Sequence, residues 1–388
     1  MQISGDNKPP VFYGKNGLVE LARKLGRENH QSVLLVSGKD SYKKSGAEHL
    51  LKPILEGRQV TRVCNFENNP QKSDLQRILK DLDGLSYSVI IAVGGGCVID
   101  IAKLIKCFQK RPQKIDEVLD CGRAPEPENI KLFVVPTTAG SGSEATHFAV
   151  IYDQGKKFSV AHPRLLPDVV WSLSSLLVSV PDKVAASAAL DVFCQGVESY
   201  WSIHSTHKSR EFAELAIKLS WQNMTASVLY KDTNALKQMV KASYLSGRAI
   251  NLTKTTAPHA ISYALTSFFG VLHGHAVALM LPSIFIFNDG VNDDDLVDKR
   301  GCKYVRSSLI DICHILDCRD VHSAANLIKA RVCDLGLQGN LKELNITDSR
   351  DLDVILKHGF NQDRVNNNPR RLGVNDLREI LNAMLISR

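Results

Sequence analysis

Short apolar runs alternate with amphipathic segments through the first 180 residues of the chain. Apolar runs typical of β-strands lie at residues 32–38, 59–66, 88–96 and 131–140. Apolar positions with helical spacing lie between them, at residues 44–56, 71–84 and 99–108. Residues 146–162 have the pattern of two strands joined by a turn at "DQGK". Because strands and helices alternate, the pattern predicts a mainly parallel sheet covered by helices on both faces.

The hydrophobic pattern changes at about residue 181, after which apolar positions recur with the 3.6-residue period of helices. Helices are predicted for residues 182–202, 209–229, 236–252, 303–316, 323–335, 350–358 and 374–387. The acidic segment 288–295 is predicted to be a solvated turn. The sequence therefore predicts an α/β domain at residues 1–178, followed by an all-α domain at residues 179–388.

Composition and charge narrow the class of protein. With 388 residues, 44% of them hydrophobic and 23% charged, the chain is typical of a globular protein with two domains. No apolar run approaches the roughly 18 residues of a membrane span, and residues 1–14 are too polar for a secretory signal. Nine cysteines without a pairing pattern indicate free thiols, so we expect a cytoplasmic protein. The net charge of +7 suits an anionic substrate or cofactor, but no Lys/Arg run is typical of nucleic-acid binding.

Two glycine-rich loops follow predicted strands and suggest a nucleotide site. Gly94, Gly95 and Gly96 stand where a buried strand gives way to a helix, an arrangement that lets backbone N–H groups approach a phosphate. A tight structural turn explains these glycines equally well on their own. The second loop carries hydroxyl side chains at Thr137, Thr138, Ser141 and Ser143. Two such loops at the carboxyl ends of strands predict a crevice that binds a nucleotide.

Four side chains of the second half form a candidate metal site. Asp191 and Gln195 are four residues apart on a predicted helix, which places them on one face about 6 Å apart along its axis. His259 and His273 lie fourteen residues apart and supply imidazole nitrogens, the commonest metal ligands. Each residue taken singly is more often structural, as a helix start or a cap. The spacing leaves both interpretations open.

The motifs together resemble a known family. GGGCVIDIAK, PTTAGSGSEAT, DVFCQGVESY and the His259…HGH segment occur in the order and spacing of the iron-dependent (group III) alcohol dehydrogenases. The segments SEATHFAVIY, KKFSVAHPRLLPD and CQGVESYWSIHST are most similar to the phosphonoacetaldehyde reductase (2-hydroxyethylphosphonate dehydrogenase) branch. The resemblance implies a dehydroquinate synthase-like fold, with an N-terminal Rossmann-like nucleotide-binding domain and a C-terminal helical metal-binding domain. It also implies a homodimer.

The resemblance implies an enzyme that reduces phosphonoacetaldehyde to 2-hydroxyethylphosphonate with NAD(P)H and a divalent metal. The alternative within the family is another small aldehyde or alcohol. A lyase like dehydroquinate synthase fits the DVFCQ segment poorly, and a non-catalytic binding protein is the remaining alternative.

The resemblance also assigns roles to residues of the second half. Asp191, Gln195, His259 and His273 would hold the metal, with Gln195 where the general family has His. The resemblance implies Fe²⁺ as the metal. Because a Gln carbonyl is a harder and weaker donor than imidazole, we expect weaker metal binding, with Zn²⁺ or Mn²⁺ as alternatives. Tyr263 stands where many relatives carry a His that is credited with proton transfer. His275 and Tyr263 are therefore the candidate proton donors.

The cofactor and substrate contacts follow from the same resemblance. The expected dinucleotide contacts are Gly38, Asn69, Gly94, Gly95, Gly96, Cys97, Asp100, Thr137, Thr138, Ser141 and Lys157. Gly38 occupies a position where an acid would repel a 2′-phosphate, so NADPH is favoured over NADH, although Asp40 is close by. A phosphonate should meet cations, for which the candidates are His147, His162, Lys254, Arg364 and Arg370. His147 and Lys254 are preferred because they lie in segments that resemble the phosphonoacetaldehyde reductase branch. Either residue can equally be an ordinary surface or capping charge.

Overall fold

The structure is a computed structural model that describes residues 9–27, 30–121, 124–360 and 362–386. Residues 1–8, part of the segment considered as a possible signal, and residue 387, the end of the last predicted helix, lie outside the described residues. The chain divides into two compact units, Met1–Val180 and Pro181–Arg388. In the described ranges, no helix combines the length and the apolar character that crossing a membrane requires.

The first unit is built on a six-stranded sheet in which every paired strand is parallel. The strand order is β1-β8-β5-β4-β2-β3, and β6 and β7 form a separate antiparallel pair. The strands are β1 (Val11–Tyr13), β2 (Ser32–Ser37), β3 (Gln59–Val63), β4 (Val89–Gly94), β5 (Lys131–Pro136), β6 (Phe148–Asp153), β7 (Lys156–Ala161) and β8 (Val169–Ser172). The predicted parallel sheet and hairpin are thus confirmed, whereas β1 and β8, which pair with each other, were not predicted.

The helices of the first unit are α1 (Lys15–Arg27), α2 (Ser41–Lys44), α3 (Ala47–Leu55), α4 (Lys72–Asp81), α5 (Gly96–Phe108) and α6 (Ile115–Cys121). The helix predicted at residues 44–56 is confirmed as α3, and the short helix α2, which precedes it, was not predicted. Gly46 has a φ of +82°, a left-handed conformation that separates α2 from α3.

Helix α5 lies at the centre of the first unit and begins at the glycine-rich turn. Its residues from Val98 to Phe108 are all buried, because α5 packs against β4 and β5 as well as against β6. Strands β2, β4 and β5 are parallel neighbours, so their carboxyl ends lie at one edge of the sheet. The segments that follow these strands are therefore brought together at that edge, where open α/β sheets bind ligands.

The second unit is helical in its described residues. Its helices are α7 (Asp182–Trp201), α8 (His207–Leu229), α9 (Thr233–Thr253), α10 (Ala257–Phe269), α11 (His273–Asp289), α12 (Cys302–Ile315), α13 (Val321–Asp334), α14 (Ser349–His358), α15 (Gln362–Val365) and α16 (Val374–Ile386). Helix α7 packs against α8, α9, α11 and α12. Every residue of α7 from Ala189 to Trp201 is buried, as expected of a central helix.

The acidic segment 288–295 is only partly the solvated turn that was predicted. Helix α11 continues to Asp289, and the side chain of Asn288 is fully buried. Asp295 accepts a 2.7 Å hydrogen bond from Nε of Arg370. The prediction failed here because a distant segment near the carboxyl end packs against these polar residues.

Candidate metal and nucleotide sites

Three potential metal ligands of the second unit converge from three helices. Asp191 lies in α7, His259 in the first turn of α10, and His273 is the first residue of α11. One ligand atom from each lies within 4.8 Å of the other two. Nε2 of His259 is 3.2 Å from Oδ1 of Asp191, and the two imidazole rings are 5.3 Å apart between centroids. The fold therefore brings together three of the four predicted ligands.

A close approach of α7 and α11 positions two of these side chains. Gly274 lies directly against α7, where an added Cβ would clash with the carbonyl oxygen of Ser187. The same Cβ would lie 2.7 Å from Cβ of Asp191. Only a residue without a side chain fits at this crossing. Glycine at position 274 thus lets His273 and Asp191 reach the same point.

Gln195 is held by helix α9. Its side chain is buried, and its amide oxygen accepts a 2.8 Å hydrogen bond from Oγ of Ser246. An amide oxygen has two lone pairs and can therefore take part in more than one contact. The spacing of Gln195 from Asp191 places both on the same side of α7.

Glu198 is a residue of this site that the sequence analysis missed. It is fully buried, and one of its carboxylate oxygens accepts hydrogen bonds from the backbone N–H of Thr256 at 2.8 Å and from its hydroxyl at 2.9 Å. The other oxygen accepts a hydrogen bond from Nδ1 of His259. The spacing 191, 195, 198 follows one helical face and was the available signal.

Glu198 determines which nitrogen of His259 can bind a metal. When Nδ1–H donates to the Glu198 carboxylate, the neutral imidazole has its lone pair on Nε2, the nitrogen that faces Asp191. Metal-ligating histidines commonly donate their second ring N–H to a carboxylate in this way. The contact therefore fixes both the tautomer and the orientation of the ring.

The charges of the cluster favour a cation. Asp191 is 6% exposed and Glu198 0% exposed, so two carboxylates are buried beside one imidazole. Burial by itself lowers the pKa of His259, but the Glu198 and Asp191 carboxylates raise it to about 10. The Glu198 and Asp191 carboxylates therefore stabilise a positive charge at the position of His259. Oxygen and imidazole donors of this kind suit Fe²⁺, Zn²⁺ or Mn²⁺, so the residues present fit a divalent metal.

The two candidate proton donors lie in different surroundings. The ring of Tyr263 stacks on that of His273, with centroids 6.1 Å apart and an interplanar angle of 23°. His275 follows in α11, and its Nε2 lies 2.7 Å from the carbonyl oxygen of Gln338, to which it donates. Burial lowers the pKa of His275. Tyr263 therefore lies beside the cluster, whereas the Nε2–H of His275 is engaged in a hydrogen bond to a backbone carbonyl.

In the first unit the two glycine-rich loops meet. The backbone N–H of Thr137 donates to the carbonyl of Gly94 at 3.0 Å. A Cβ at Gly95 would lie 3.1 Å from Oγ1 of Thr138, and one at Gly96 would clash with Oγ of Ser141. The loops predicted to line a nucleotide therefore form one continuous surface at the N-terminus of α5.

Three more predicted cofactor residues lie near this surface. The thiol of Cys97 donates to the carbonyl of Asn68, which places the loop containing Asn69 beside the first glycine-rich turn. Burial raises the pKa of Cys97 to about 12, so the thiol is protonated. Lys157 on β7 lies close enough for its charge to act on the ionisation of Cys97.

Asp100 directs both carboxylate oxygens into the protein. Oδ1 accepts a 2.6 Å hydrogen bond from Oγ of Ser143, and Oδ2 accepts a 3.1 Å hydrogen bond from the backbone N–H of Val150. Its burial raises its pKa. These contacts brace the second loop from within, and a direct contact of Asp100 with the cofactor stays a prediction.

Lys103, which the sequence analysis did not single out, anchors the same loop. Its ammonium is fully buried and lies 2.6 Å from the carbonyl of Ser143, 2.8 Å from that of Thr146 and 2.9 Å from that of Phe148. Burial lowers the pKa of Lys103 to about 8, although Asp100 and Glu144 act in the opposite direction. The spacing 100, 103 on α5 was the sequence signal for this pair.

The remaining predicted residues are distributed over both units. Gly38 follows β2, where an added Cβ would clash with Oγ of Ser41. His147 is half-buried just before β6, with its ring edge-on to Phe148 at 5.7 Å. Lys254 is exposed at the end of α9 with φ +59° and ψ −177°. His147 belongs to the first unit and Lys254 to the second.

Two family models match most of the chain. The model described as iron-containing alcohol dehydrogenase matches residues 9–171. The model for the C-terminal part of the Fe-containing alcohol dehydrogenase family matches residues 185–385.

Individual relatives and solved structures are similar over different lengths. Phosphonoacetaldehyde reductase of Streptomyces viridochromogenes is 34% identical, over 60% of this chain and 61% of that relative. NADPH-dependent butanol dehydrogenase of Clostridium saccharobutylicum is 26% identical over 96% of each chain. Sulfoacetaldehyde reductase from Bifidobacterium kashiwanohense, solved in complex with NAD⁺, superposes over 100% of each chain with a TM-score of 0.87 and 23% identity. The last comparison establishes a common fold.

Proposed function

The chain belongs to the iron-containing alcohol dehydrogenase family, and from this premise we propose that it reduces phosphonoacetaldehyde to 2-hydroxyethylphosphonate with NAD(P)H. The observation that carries the proposal is the convergence of buried Asp191 and His259 with half-buried His273, three donors suited to a divalent metal. The phosphonate substrate is supported by the 34% identity to a phosphonoacetaldehyde reductase, which extends over 60% of the chain.

Asp191, Gln195, His259 and His273 are proposed to hold the metal, Fe²⁺ in the first instance. A bound divalent ion supplies Lewis-acid polarisation of the aldehyde oxygen. The chain contributes the positions of its donors: Glu198 orients His259, and Gly274 brings His273 against Asp191.

The first unit is proposed to hold the dinucleotide, which supplies the hydride when bound. At the carboxyl end of β4, the Gly94–Cys97 turn and the N-terminus of α5 present backbone N–H groups suited to a pyrophosphate. The half-buried hydroxyls of Thr138 and Ser141 border the same surface. Asp100 and Lys103 keep the second loop in place from beneath.

Tyr263 is proposed as the group that transfers the proton to the product alkoxide. It lies beside His273, which places its hydroxyl-bearing ring next to the proposed metal ligands. His275 is the second candidate. Its Nε2 proton would have to leave the carbonyl of Gln338 before it could be transferred.

Lys254 is proposed to bind the phosphonate group. Its backbone, at φ +59° and ψ −177°, lies in a region that is essentially restricted to glycine and costs about 1–3 kcal/mol for other residues. Neighbouring contacts hold it there: its N–H donates to the carbonyl of Ile250 and its carbonyl accepts from Oγ1 of Thr253, both at 2.8 Å. Such strain at an exposed cation five residues before His259 supports a functional role. His147 is a further candidate.

A second candidate function is the reduction of small neutral aldehydes. The observation that favours it is the alignment with a butanol dehydrogenase, which spans 96% of each chain. An enzyme for a neutral substrate would gain nothing from a cation at the position of Lys254. The charge of the substrate therefore separates the two proposals.

Steady-state NADPH consumption should show a much higher kcat/KM for phosphonoacetaldehyde than for propionaldehyde. Lys254→Ala should lower kcat/KM for phosphonoacetaldehyde by about 10- to 100-fold, because a charge-assisted contact to the phosphonate is lost. Propionaldehyde reduction should not change in this variant. Equal specificity constants of the wild type for both aldehydes would exclude phosphonoacetaldehyde as the preferred substrate. They would not contradict the proposed dehydrogenase activity.

Two variants serve as controls for this experiment. Lys254→Gly also removes the cation but relieves the backbone strain, so it should lose the same discrimination while resisting denaturation better than Lys254→Ala. Lys237→Ala removes an exposed lysine of the same helix and should keep the wild-type preference. Loss of discrimination in Lys237→Ala would assign the effect to general surface charge.

Glu198→Gln should weaken metal binding by about 10- to 100-fold, the usual effect of altering a carboxylate behind a ligating histidine. The amide keeps the volume but removes the negative charge that holds the Nδ1 proton of His259. Zn²⁺ affinity measured by competition with a chelating indicator tests this directly. The control, Glu379→Gln, alters an exposed carboxylate of α16 and should not affect the affinity. Equal Zn²⁺ affinities of Glu198→Gln and the wild type would contradict the assigned role.

A further inference from the structure

Arg62 places a guanidinium at the carboxyl edge of the sheet, beyond the end of β2. It lies on β3, the edge strand, which pairs in parallel with β2 so that Arg62 is opposite Leu35. Its Nε donates to Oγ of Ser37 at 2.8 Å. Its Nη2 lies 3.1 Å from the carbonyl oxygens of both Gly38 and Lys39 and donates to them. Arg62 therefore reaches across to the segment that follows the neighbouring strand.

The guanidinium is held in place without being neutralised. It lies over the ring of Tyr42 at 4.8 Å, and that ring is 4% exposed and so provides a fixed surface. Within residues 9–27, 30–121, 124–360 and 362–386, no carboxylate forms an ion pair with Arg62, and its Nη1 makes no hydrogen bond. Its partners are a hydroxyl and two carbonyls, all neutral. The result is an exposed positive charge with a fixed position and N–H groups still able to donate.

The position of this charge relative to the glycine-rich turn determines which part of a bound dinucleotide it could contact. Strand β2 is the immediate neighbour of β4, with Ser37 opposite Val93, one residue before the Gly94 turn. In open parallel sheets that bind dinucleotides, the pyrophosphate lies at the glycine-rich turn and the adenosine ribose lies at the end of the adjacent strand. An acid there binds the ribose hydroxyls, whereas an arginine accommodates a 2′-phosphate.

We propose that Arg62 forms the subsite for the 2′-phosphate of NADPH and determines the preference of the enzyme for NADPH over NADH. The inference rests on the proposed function, since it requires a dinucleotide at this edge of the sheet. A phosphate monoester carries up to two negative charges and matches the planar donor fork of a guanidinium. Gly38 contributes no acidic side chain that would repel a 2′-phosphate. Asp40, the acid of the same loop, forms no ion pair with Arg62 among the described residues.

Binding of two nucleotide fragments to the full-length protein tests the proposal without a metal or a turnover. Isothermal titration should show that adenosine 2′,5′-bisphosphate binds at least about 10-fold more tightly than 5′-AMP, since only the former carries the 2′-phosphate. Arg62→Ala should abolish this difference and leave the affinity for 5′-AMP unchanged. Lys43→Ala, which removes an exposed charge from the neighbouring helix α2, should retain the difference. The NADPH/NADH ratio of kcat/KM should fall in Arg62→Ala by the same factor.

The other outcomes overturn the inference in distinguishable ways. Equal binding of both fragments by the wild type would show that no 2′-phosphate subsite exists. If Arg62→Ala retains the difference, the subsite belongs to other residues. If Arg62→Ala also loses its affinity for 5′-AMP, then Arg62 only stabilises the loop after β2. If Lys43→Ala also abolishes the difference in affinity between the two fragments, the difference arises from the overall positive charge of this surface. A wild type that binds neither fragment would reject the dinucleotide itself, and with it the proposed function.

Discussion

His259→Ala is expected to yield a protein without stoichiometric metal, whose aldehyde reduction is slower by about 1000-fold or more. Metal polarisation of a carbonyl contributes several kcal/mol of transition-state stabilisation, which corresponds to about that factor in rate. The variant loses one nitrogen donor and leaves the Glu198 carboxylate without its imidazole partner. Metal content measured by plasma mass spectrometry and initial rates of NADPH oxidation test the prediction together.

His273→Ala removes the other imidazole donor without altering a hydrogen bond to Glu198, and it should have the same effect on metal and rate. In both variants NADPH binding should persist, because the nucleotide is proposed to lie on the first unit. His314→Ala changes an exposed histidine of α12 and provides the control, with wild-type metal content and rate. Full activity in either the His259 or the His273 variant would refute the assigned metal site.

Gly274→Ala is expected to destabilise the protein by about 3 kcal/mol, the upper range for forcing extra volume into a packed interior. The added methyl group would clash with the carbonyl of Ser187 and lie 2.9 Å from the backbone nitrogen of Asp191. Both neighbours belong to the backbone of α7, so no side-chain rotation relieves the contact. Helices α7 and α11 must separate, which moves His273 away from Asp191 and weakens metal binding.

Denaturant unfolding and Zn²⁺ affinity measure the two parts of this prediction. Gly26→Ala provides a matched control, since it makes the same substitution in a helix where an added Cβ has nothing within 4 Å. That variant should be equally or slightly more stable, by up to about 1 kcal/mol, because alanine favours the helix. Unchanged stability of Gly274→Ala would show that the two helices can separate freely. Unchanged Zn²⁺ affinity would show that their spacing does not position the metal ligands.

The fold class and the family were accessible to sequence reasoning for separate reasons. The alternation of strands and helices before residue 181, and the helical period after it, are local patterns that need no knowledge of contacts. The motifs around Gly94, Thr137, Asp191 and His273 carried the family resemblance, which the family models confirm. The helix predicted at residues 44–56 corresponds to α3, whereas the short helix α2, separated from it by the left-handed Gly46, was not predicted.

The residues that support the sites were missed because their roles depend on partners distant in the chain. Glu198 gains its role from His259 and Thr256, 61 and 58 residues away. Lys103 bonds to a loop more than 40 residues further along, and Arg62 bonds to residues 23–25 positions before it. A buried lysine and a buried glutamate look like surface charges in a sequence. Their partners become evident only when the contacts are known.

The sequence by itself determined the order of elements, the two glycine-rich turns and the chemical types of the candidate ligands, since period and residue type are local properties. The tertiary structure alone decided that Asp191, His259 and His273 meet. It also decided that Glu198 sets the tautomer of His259, and that Arg62 extends past the end of β2. The physical reason is that convergence depends on how helices and strands pack, which is determined by burial and close approach between segments far apart in the chain.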